Sequence, residues 1–193
     1  MILRIALFIL VLFCVTACKE EVLPKPKAYL RLDYPEPEYK ELQTDLPFSF
    51  QVNALADSIG PSRPSIDGKT RGIDIVYPSL KGTIYLTYQS VDNNLEALLT
   101  DAQNITQKHT IKADEIVEQP FQSAKNNVFG MFYEVGGDAA SQSQFYVTDS
   151  TRHFITGSLY FYAKPNYDSI LPAAYYLQND IRHIMETIKW NKK

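Results

Sequence analysis

The stretch Ile73-Asp74-Ile75-Val76-Tyr77-Pro78-Ser79-Leu80-Lys81-Gly82-Thr83-Ile84-Tyr85-Leu86-Thr87-Tyr88 carries two alternating runs around a turn. Ile73, Ile75 and Tyr77 share one face of the first run. Ile84, Leu86 and Tyr88 share one face of the second, and Pro78 to Gly82 supplies the reversal. Two half-buried strands joined this closely pair antiparallel, because a parallel pair needs a crossover of a dozen or more residues.

Downstream the apolar period lengthens from 2 to about 3.6. Leu95, Leu98, Leu99, Ala102, Ile105 and His109 fall at helical spacing, which predicts a helix from about Asn94 to His109, with Asn93 and Glu96 spaced as a capping box. Four strand segments follow, at Glu115–Glu118, Phe129–Val135, Gln144–Thr148 and Phe154–Tyr162. Gly136-Gly137-Asp138 marks a turn between the second and third. The chain then returns to helical spacing in Ile170, Ala173, Ala174, Leu177, Ile181, Ile184, Met185 and Ile188, with Asn179, Asp180, Arg182, Glu186 and Lys189 off the stripe. Ser169 is the expected N-cap, which would put Pro172 in the first turn, where no helical partner for its nitrogen is needed. The basic Lys192-Lys193 end suits a helix C-terminus.

Upstream, Phe48-Ser49-Phe50-Gln51-Val52 alternates as a further strand, and Asp57 to Gly72 reads as a loop rich in Asp, Ser, Gly and Pro. Runs of antiparallel strands separated by single helices predict an α+β fold. The expected architecture is a central antiparallel sheet of six to seven strands flanked by two helices. Its element order resembles the PsbP family of photosystem II.

The N-terminus is organised differently. Arg4 precedes an apolar run from Ile5 to Val15, and small residues Thr16-Ala17 lead to Cys18. This is the pattern of a secretory signal. At about 11 residues the run is short of the roughly 20 needed to span a bilayer. Val15-Thr16-Ala17-Cys18 resembles the lipobox of bacterial lipoproteins, which implies cleavage between Ala17 and Cys18 and acylation of Cys18. Residues 1–17 are then the signal peptide. Residues 18–47, with Pro24, Pro26, Pro35, Pro37 and Pro47, read as an extended tether whose reach is on the order of 95 Å. Residues 48–193 form one globular domain, although Ala28–Tyr34 alternates enough to dock as an edge strand.

Composition excludes several classes of function. Removing the signal shifts the net charge from −3 to −4 and leaves no basic stripe, so nucleic acid is not an expected partner. Of the two cysteines, Cys14 leaves with the signal, and Cys18 alone can form neither an intramolecular disulfide nor a Cys-based metal site. There is no H-E-x-x-H, no EF-hand loop and no glycine-rich phosphate loop; Asp67-Gly68 and Gly137-Asp138 are isolated turn signals. No metal or other cofactor is expected.

Three histidines could carry acid–base chemistry. His109 ends the first helical stripe, and His183 sits beside Arg182 and Glu186 in what reads as a solvated charge network. His153 lies in Thr148-Asp149-Ser150-Thr151-Arg152-His153, which holds an acid, hydroxyls and an imidazole. A hydrolase would need those groups to converge, and adjacent residues of a tight turn seldom do so. The segment is read as structural and the protein as non-enzymatic, with a hydrolase using His153 as the alternative.

Thirteen tyrosines are the compositional oddity. Strand alternation sets Tyr146, Tyr160 and Tyr162 opposite Phe145, Val147, Ile155, Leu159 and Phe161, and sets Tyr85 opposite Ile84 and Leu86. Tyr85, Tyr146, Tyr160 and Tyr162 are therefore the candidate interaction face, for a protein partner or, alternatively, for peptidoglycan or another glycan.

Several segments together resemble one family. These are Pro24-Lys25-Pro26-Lys27-Ala28-Tyr29-Leu30-Arg31-Leu32, Leu46-Pro47-Phe48-Ser49-Phe50 and Lys108-His109-Thr110-Ile111-Lys112-Ala113. Gln144–Ser150 with His153-Phe154, Leu159-Tyr160-Phe161, Pro165–Ile170 and Asp180–Thr187 complete the set. Across most of the mature chain they look like the GldD gliding-motility lipoproteins of Bacteroidetes. The resemblance implies an accessory role in gliding, a process tied to type IX secretion, at a lipid anchor in the outer membrane facing the periplasm. The expected partners are the membrane and other motility or secretion proteins. Cys18-Lys19-Glu20-Glu21 also resembles a signal that sends some lipoproteins of that phylum to the cell surface.

Overall fold

The computed structural model describes residues 32–60, 63–65, 68–108, 112–162 and 167–191. Cys18, the lipobox and His109 lie outside the described residues.

The antiparallel hairpin forms as read. β5 (Thr70–Tyr77) and β6 (Gly82–Ser90) pair with Ile75 opposite Ile84, joined by a 3-10 turn at Pro78–Leu80 that ends on Lys81 in the left-handed region. Before them stand β1 (Tyr39–Gln43), β2 (Phe48–Asn53), β3 (Ser58–Ile59) and β4 (Arg63–Pro64). After them come α1 (Leu95–Gln107), β7 (Ala113–Ser123), β8 (Val128–Gly137), β9 (Ser141–Thr148), β10 (His153–Phe161), α2 (Tyr167–Thr187) and β11 (Lys189–Trp190). The large sheet runs β3-β5-β6-β10-β9-β8-β7, with β4 also on β5, and every pairing is antiparallel. The α+β class is therefore correct.

Three layers result. On one face of the large sheet Ile73, Ile75, Tyr77, Ile84, Leu86, Phe132, Phe145, Val147, Ile155 and Leu159 form a single core with Leu177, Ile181, Ile184, Met185 and Ile188. The other face carries Phe154, over which α1 places Leu98 and Ala102. Close packing leaves no room for a side chain at Gly157, where a Cβ would lie 2.1 Å from the Phe145 ring on the neighbouring strand. The turn after β8 needs Gly137, whose φ is +92°.

Four expectations need correction. First, β2 is not a strand of the central sheet. It lies between β1 and β11 in a separate three-stranded sheet, and all its residues except Gln51 are buried because α2 covers it. Second, the tether ends before residue 47. β1 pairs with β2, Leu46 is in the core, and Tyr34 and Leu42 pack against it. Tyr34 stands 16 residues after Cys18, and a chain of that length spans at most roughly 55 Å. Residues 32–34 are not in a strand, and 28–31 lie outside the described residues.

Third, α2 begins at Tyr167, so Pro172 sits in the second turn and Ser169 is inside the helix. The Asp168 carbonyl that Pro172 cannot serve belongs to an exposed residue and can be hydrated. At its other end α2 stops at Thr187, and Lys189-Trp190 pair with β2 instead. Fourth, no capping box forms at α1. The N-cap is Asn94, and its side-chain oxygen turns back to accept the Asp92 N–H at 2.7 Å, while Asn93 occupies the left-handed region at φ 53°.

Candidate functional site

The turn at His153 is built around one carboxylate. Asp149 Oδ1 accepts the backbone N–H groups of Thr151, Arg152 and His153 at 3.0, 2.7 and 2.9 Å. Burial pushes its pKa up, but those three donors together outweigh burial and leave it below the usual carboxylate range. Ser150, at φ 67°, makes the reversal that aims them. The imidazole is held elsewhere. Its Nδ1 shares a hydrogen bond of 2.9 Å with the Tyr88 hydroxyl, and its ring stacks on Trp190 at 5.0 Å. Trp190 is itself fixed by donating Nε1–H to the Asn127 carbonyl. Asp149 therefore organises a backbone and does not orient the imidazole as a triad carboxylate does.

His183 is not part of a solvated network. Its ring stacks on Tyr39 at 3.6 Å, and Nε2 meets Gln51 Oε1 at 2.8 Å, so it fastens α2 to β1 and β2. Arg182 instead pairs with Glu134 at 2.5 Å and lies over the Phe132 ring. Asp180, placed off the apolar stripe by its spacing, is 1% exposed. It accepts from Tyr39 Oη at 2.8 Å and from Asn53 Nδ2 at 2.9 Å, and the buried Tyr77 hydroxyl faces it without completing a hydrogen bond. Burial raises its pKa even though Asn53, Tyr39 and Tyr77 pull the other way. Spacing on one helix could not reveal this group, because the residues that bury it are far away in sequence.

The tyrosines divide. Tyr85, Tyr160 and Tyr162 gather on the sheet face opposite the main core. Tyr85 and Tyr160 rings meet edge to face at 5.8 Å, the Tyr85 and Tyr162 hydroxyls are 2.9 Å apart, and Thr83 donates to Tyr162 at 3.2 Å. The hydrogen bond to Tyr162, with some help from burial, pushes the Tyr85 phenol up to about 12, so it stays protonated in any cellular compartment. Tyr162 is 66% exposed. Beside this cluster Asp74 pairs with Arg63. Tyr146 shares the face but not the cluster. It stacks on Phe154 at 5.8 Å and packs with Leu95 and Leu99 against the α1 contact.

Among the described residues no group of three or more His, Cys, Asp or Glu is placed to hold a metal ion, and no helix is long and apolar enough to cross a membrane. Against this geometry, the family model described as gliding motility lipoprotein GldD matches residues 19–190. The chain belongs to the GldD family. Membership makes it a lipoprotein with a gliding-motility role and associates it with the cell envelope. No curated protein and no solved structure matches it. The matched region of this GldD-family chain begins one residue after Cys18 and takes in both the tyrosine cluster and the docked segment before β2.

Proposed function

We propose that this GldD-family lipoprotein is a non-enzymatic assembly component, acylated on Cys18 and held in the outer membrane facing the periplasm. Its Tyr85, Tyr160 and Tyr162 cluster docks on envelope proteins of the gliding and type IX secretion machinery. The observation that carries this reading is the exposed phenol group of Tyr162, held by Thr83 and Tyr85 just past the end of β10. A large apolar body with a polar tip, already ordered by Thr83 and Tyr85, loses little entropy on binding.

The test is a photocrosslinking residue at position 162 in living cells. Capture of a motility or secretion protein is expected. In Tyr162→Ala the melting temperature should stay within about 2 °C of the parent while the affinity for the captured protein, read by co-purification, weakens by more than about 1 kcal/mol. Crosslinks that yield no envelope protein, in cells that glide normally, would overturn the docking role.

Cys18→Ser should abolish incorporation of labelled fatty acid and release the protein from the membrane fraction, since stable anchoring takes more than one acyl chain. Persistent acylation of that variant would remove Cys18 as the anchor. For the rival hydrolase reading, a general base contributes about 10²- to 10⁴-fold to a rate. His153→Ala should lose the ring stack and the Tyr88 hydrogen bond, on the order of 1–2 kcal/mol of stability. Gliding should persist at matched protein level, and its loss in a stably folded variant would favour the hydrolase.

A further inference from the structure

Among the described residues five large apolar side chains stand exposed, and three of them meet in one place. Leu32, 46% exposed, lines a cavity between residues 32–37 and α2. Val117 of β7, 38% exposed, lines a second cavity, between β7 and α2. Tyr175 of α2, 58% exposed, lines both, so the three side chains form one apolar strip. Pro35, Pro37 and Pro172 extend the strip at the first cavity, and the buried Leu171 and Ala174 floor it at the second. The segment at its edge is held in place, because the Tyr176 hydroxyl donates to the Pro35 carbonyl at 3.0 Å and the Tyr34 and Tyr176 rings lie 5.0 Å apart. The other two exposed side chains, Ile105 on α1 and Tyr162, are on the opposite face of the large sheet.

Leu32 is also the first described residue, and it stands 14 residues after Cys18. Whatever path those residues take, they span at most roughly 50 Å, so the strip lies where the chain arrives from the anchor. A domain tethered by lipid meets its own membrane without the association cost that a free protein incurs, because the anchor has already brought the two together. A strip too small to hold a free protein on a bilayer is then enough to set how a tethered one lies on it. Tyrosine suits that level, since its ring reaches the apolar boundary while its hydroxyl stays among the headgroups. Glu36 and Glu115 line the same two cavities, which fits zwitterionic headgroups better than anionic ones.

We propose that the strip of Leu32, Val117 and Tyr175 rests on the zwitterionic lipid surface that holds the acyl chains of Cys18, so that the domain lies on the membrane by its α2 side. This rests on the acylation of Cys18 proposed above. The tyrosine cluster, on the other face of the large sheet, is then turned away from the bilayer and open to a partner. The test uses the acylated protein in phosphatidylcholine vesicles, with a nitroxide label carried in turn by Leu32→Cys, Val117→Cys, Tyr175→Cys and Ile105→Cys. Cys14 leaves with the signal and Cys18 is blocked by its lipid, so each variant has one free thiol. Label depth is read from collisions with oxygen against those with a water-soluble nickel complex. Mass spectrometry and vesicle flotation report acylation and attachment in the same samples.

Labels at 32, 117 and 175 should read about 5–10 Å into the boundary between headgroups and acyl chains, and the label at 105, on a side chain as exposed, should read in water. Adding Tyr175→Asp should return the label at 117 to water, with melting and flotation unchanged. An acylated, floating protein whose strip labels stay in water would overturn the lipid contact and leave the anchor standing, whereas a chain without acyl groups would overturn the anchor and the contact with it. A label at 105 as deep as those on the strip would also overturn the proposal, as would indifference of the label at 117 to Tyr175→Asp. Strip labels shielded from oxygen and nickel alike would show a protein seated there in place of lipid, and labels that sink deeper when phosphatidylglycerol is added would defeat the zwitterionic assignment.

Discussion

Ile181→Asp should abolish the cooperative melting of the domain or lower its midpoint by at least about 10 °C. Ile181 is fully buried in the main core, between Leu177 and Ile184 on the face of α2 that meets both sheets. A carboxylate there has no cation partner and either stays ionised at a cost of several kcal/mol or takes up a proton and leaves a polar group in apolar surroundings. Domains of this size lose roughly 2–4 °C per kcal/mol, against a total stability of about 5–15 kcal/mol. Tyr175→Ala, on the outer side of the same helix, is the control and should melt like the parent. A well-folded Ile181→Asp protein would mean that α2 is not seated as described.

What the sequence disclosed follows the same division between local pattern and distant contact. The hairpin of β5 and β6, the stripe of α2 and the alternation of β8 to β10 were legible because each has one face against the core, and a period of 2 or 3.6 reports that directly. The sequence pattern marks four residues of β7, which runs to eleven. Its burial is weak throughout and Pro120 interrupts it, which suits an edge strand, where a missing N–H faces solvent. β1 gave no signal at all. Tyr39-Lys40-Glu41-Leu42-Gln43 has no clean alternation, and it is fastened by Tyr39 to Asp180 and His183, residues more than 140 positions away.

The tyrosine face shows the limit of strand periodicity. Alternation placed Tyr146 opposite Phe145 correctly. It carries no information on which end of that face α1 covers, so the pattern groups Tyr146 with Tyr160 and Tyr162 although it packs under the helix. The Asp149 turn was recognisable from its residue types alone, since Asp, Ser and Thr followed by a reversal are the ordinary means of satisfying loop N–H groups. For its neighbour His153 the sequence leaves a hydrolase open as the alternative, because the partners that hold its ring, Tyr88 and Trp190, come from distant parts of the chain.

Two buried carboxylates should move stability with pH in opposite directions. Asp149→Ala leaves three backbone N–H groups without their charged acceptor and should cost about 3 kcal/mol, most of it present at neutral pH. Because the folded-state pKa of Asp149 lies below its unfolded value, the native state holds fewer protons than the unfolded chain in the window between them. The stability it contributes is complete above an ordinary carboxylate pKa of about 3.9 and is lost as pH falls through the folded value. Asp180 has the reverse sign. Its folded pKa is raised, so the native state holds the extra proton, and its contribution is complete below about pH 3.9 and declines as pH rises through the folded value. Asp180→Asn keeps an acceptor for Asn53 or Tyr39 and has nothing to ionise, so its melting temperature should gain on the parent as pH is raised. The advantage of the parent over Asp149→Asn should grow over the acidic part of the same range. His183, whose pKa burial lowers and the Asp180 charge raises, is pulled down further in Asp180→Asn, which moves that variant's difference from the parent in the same direction with pH. Melting temperatures of the parent and both Asn variants across acid to neutral pH decide the matter. Differences that move the same way with pH would mean that one of the two carboxylates is not in the environment assigned to it.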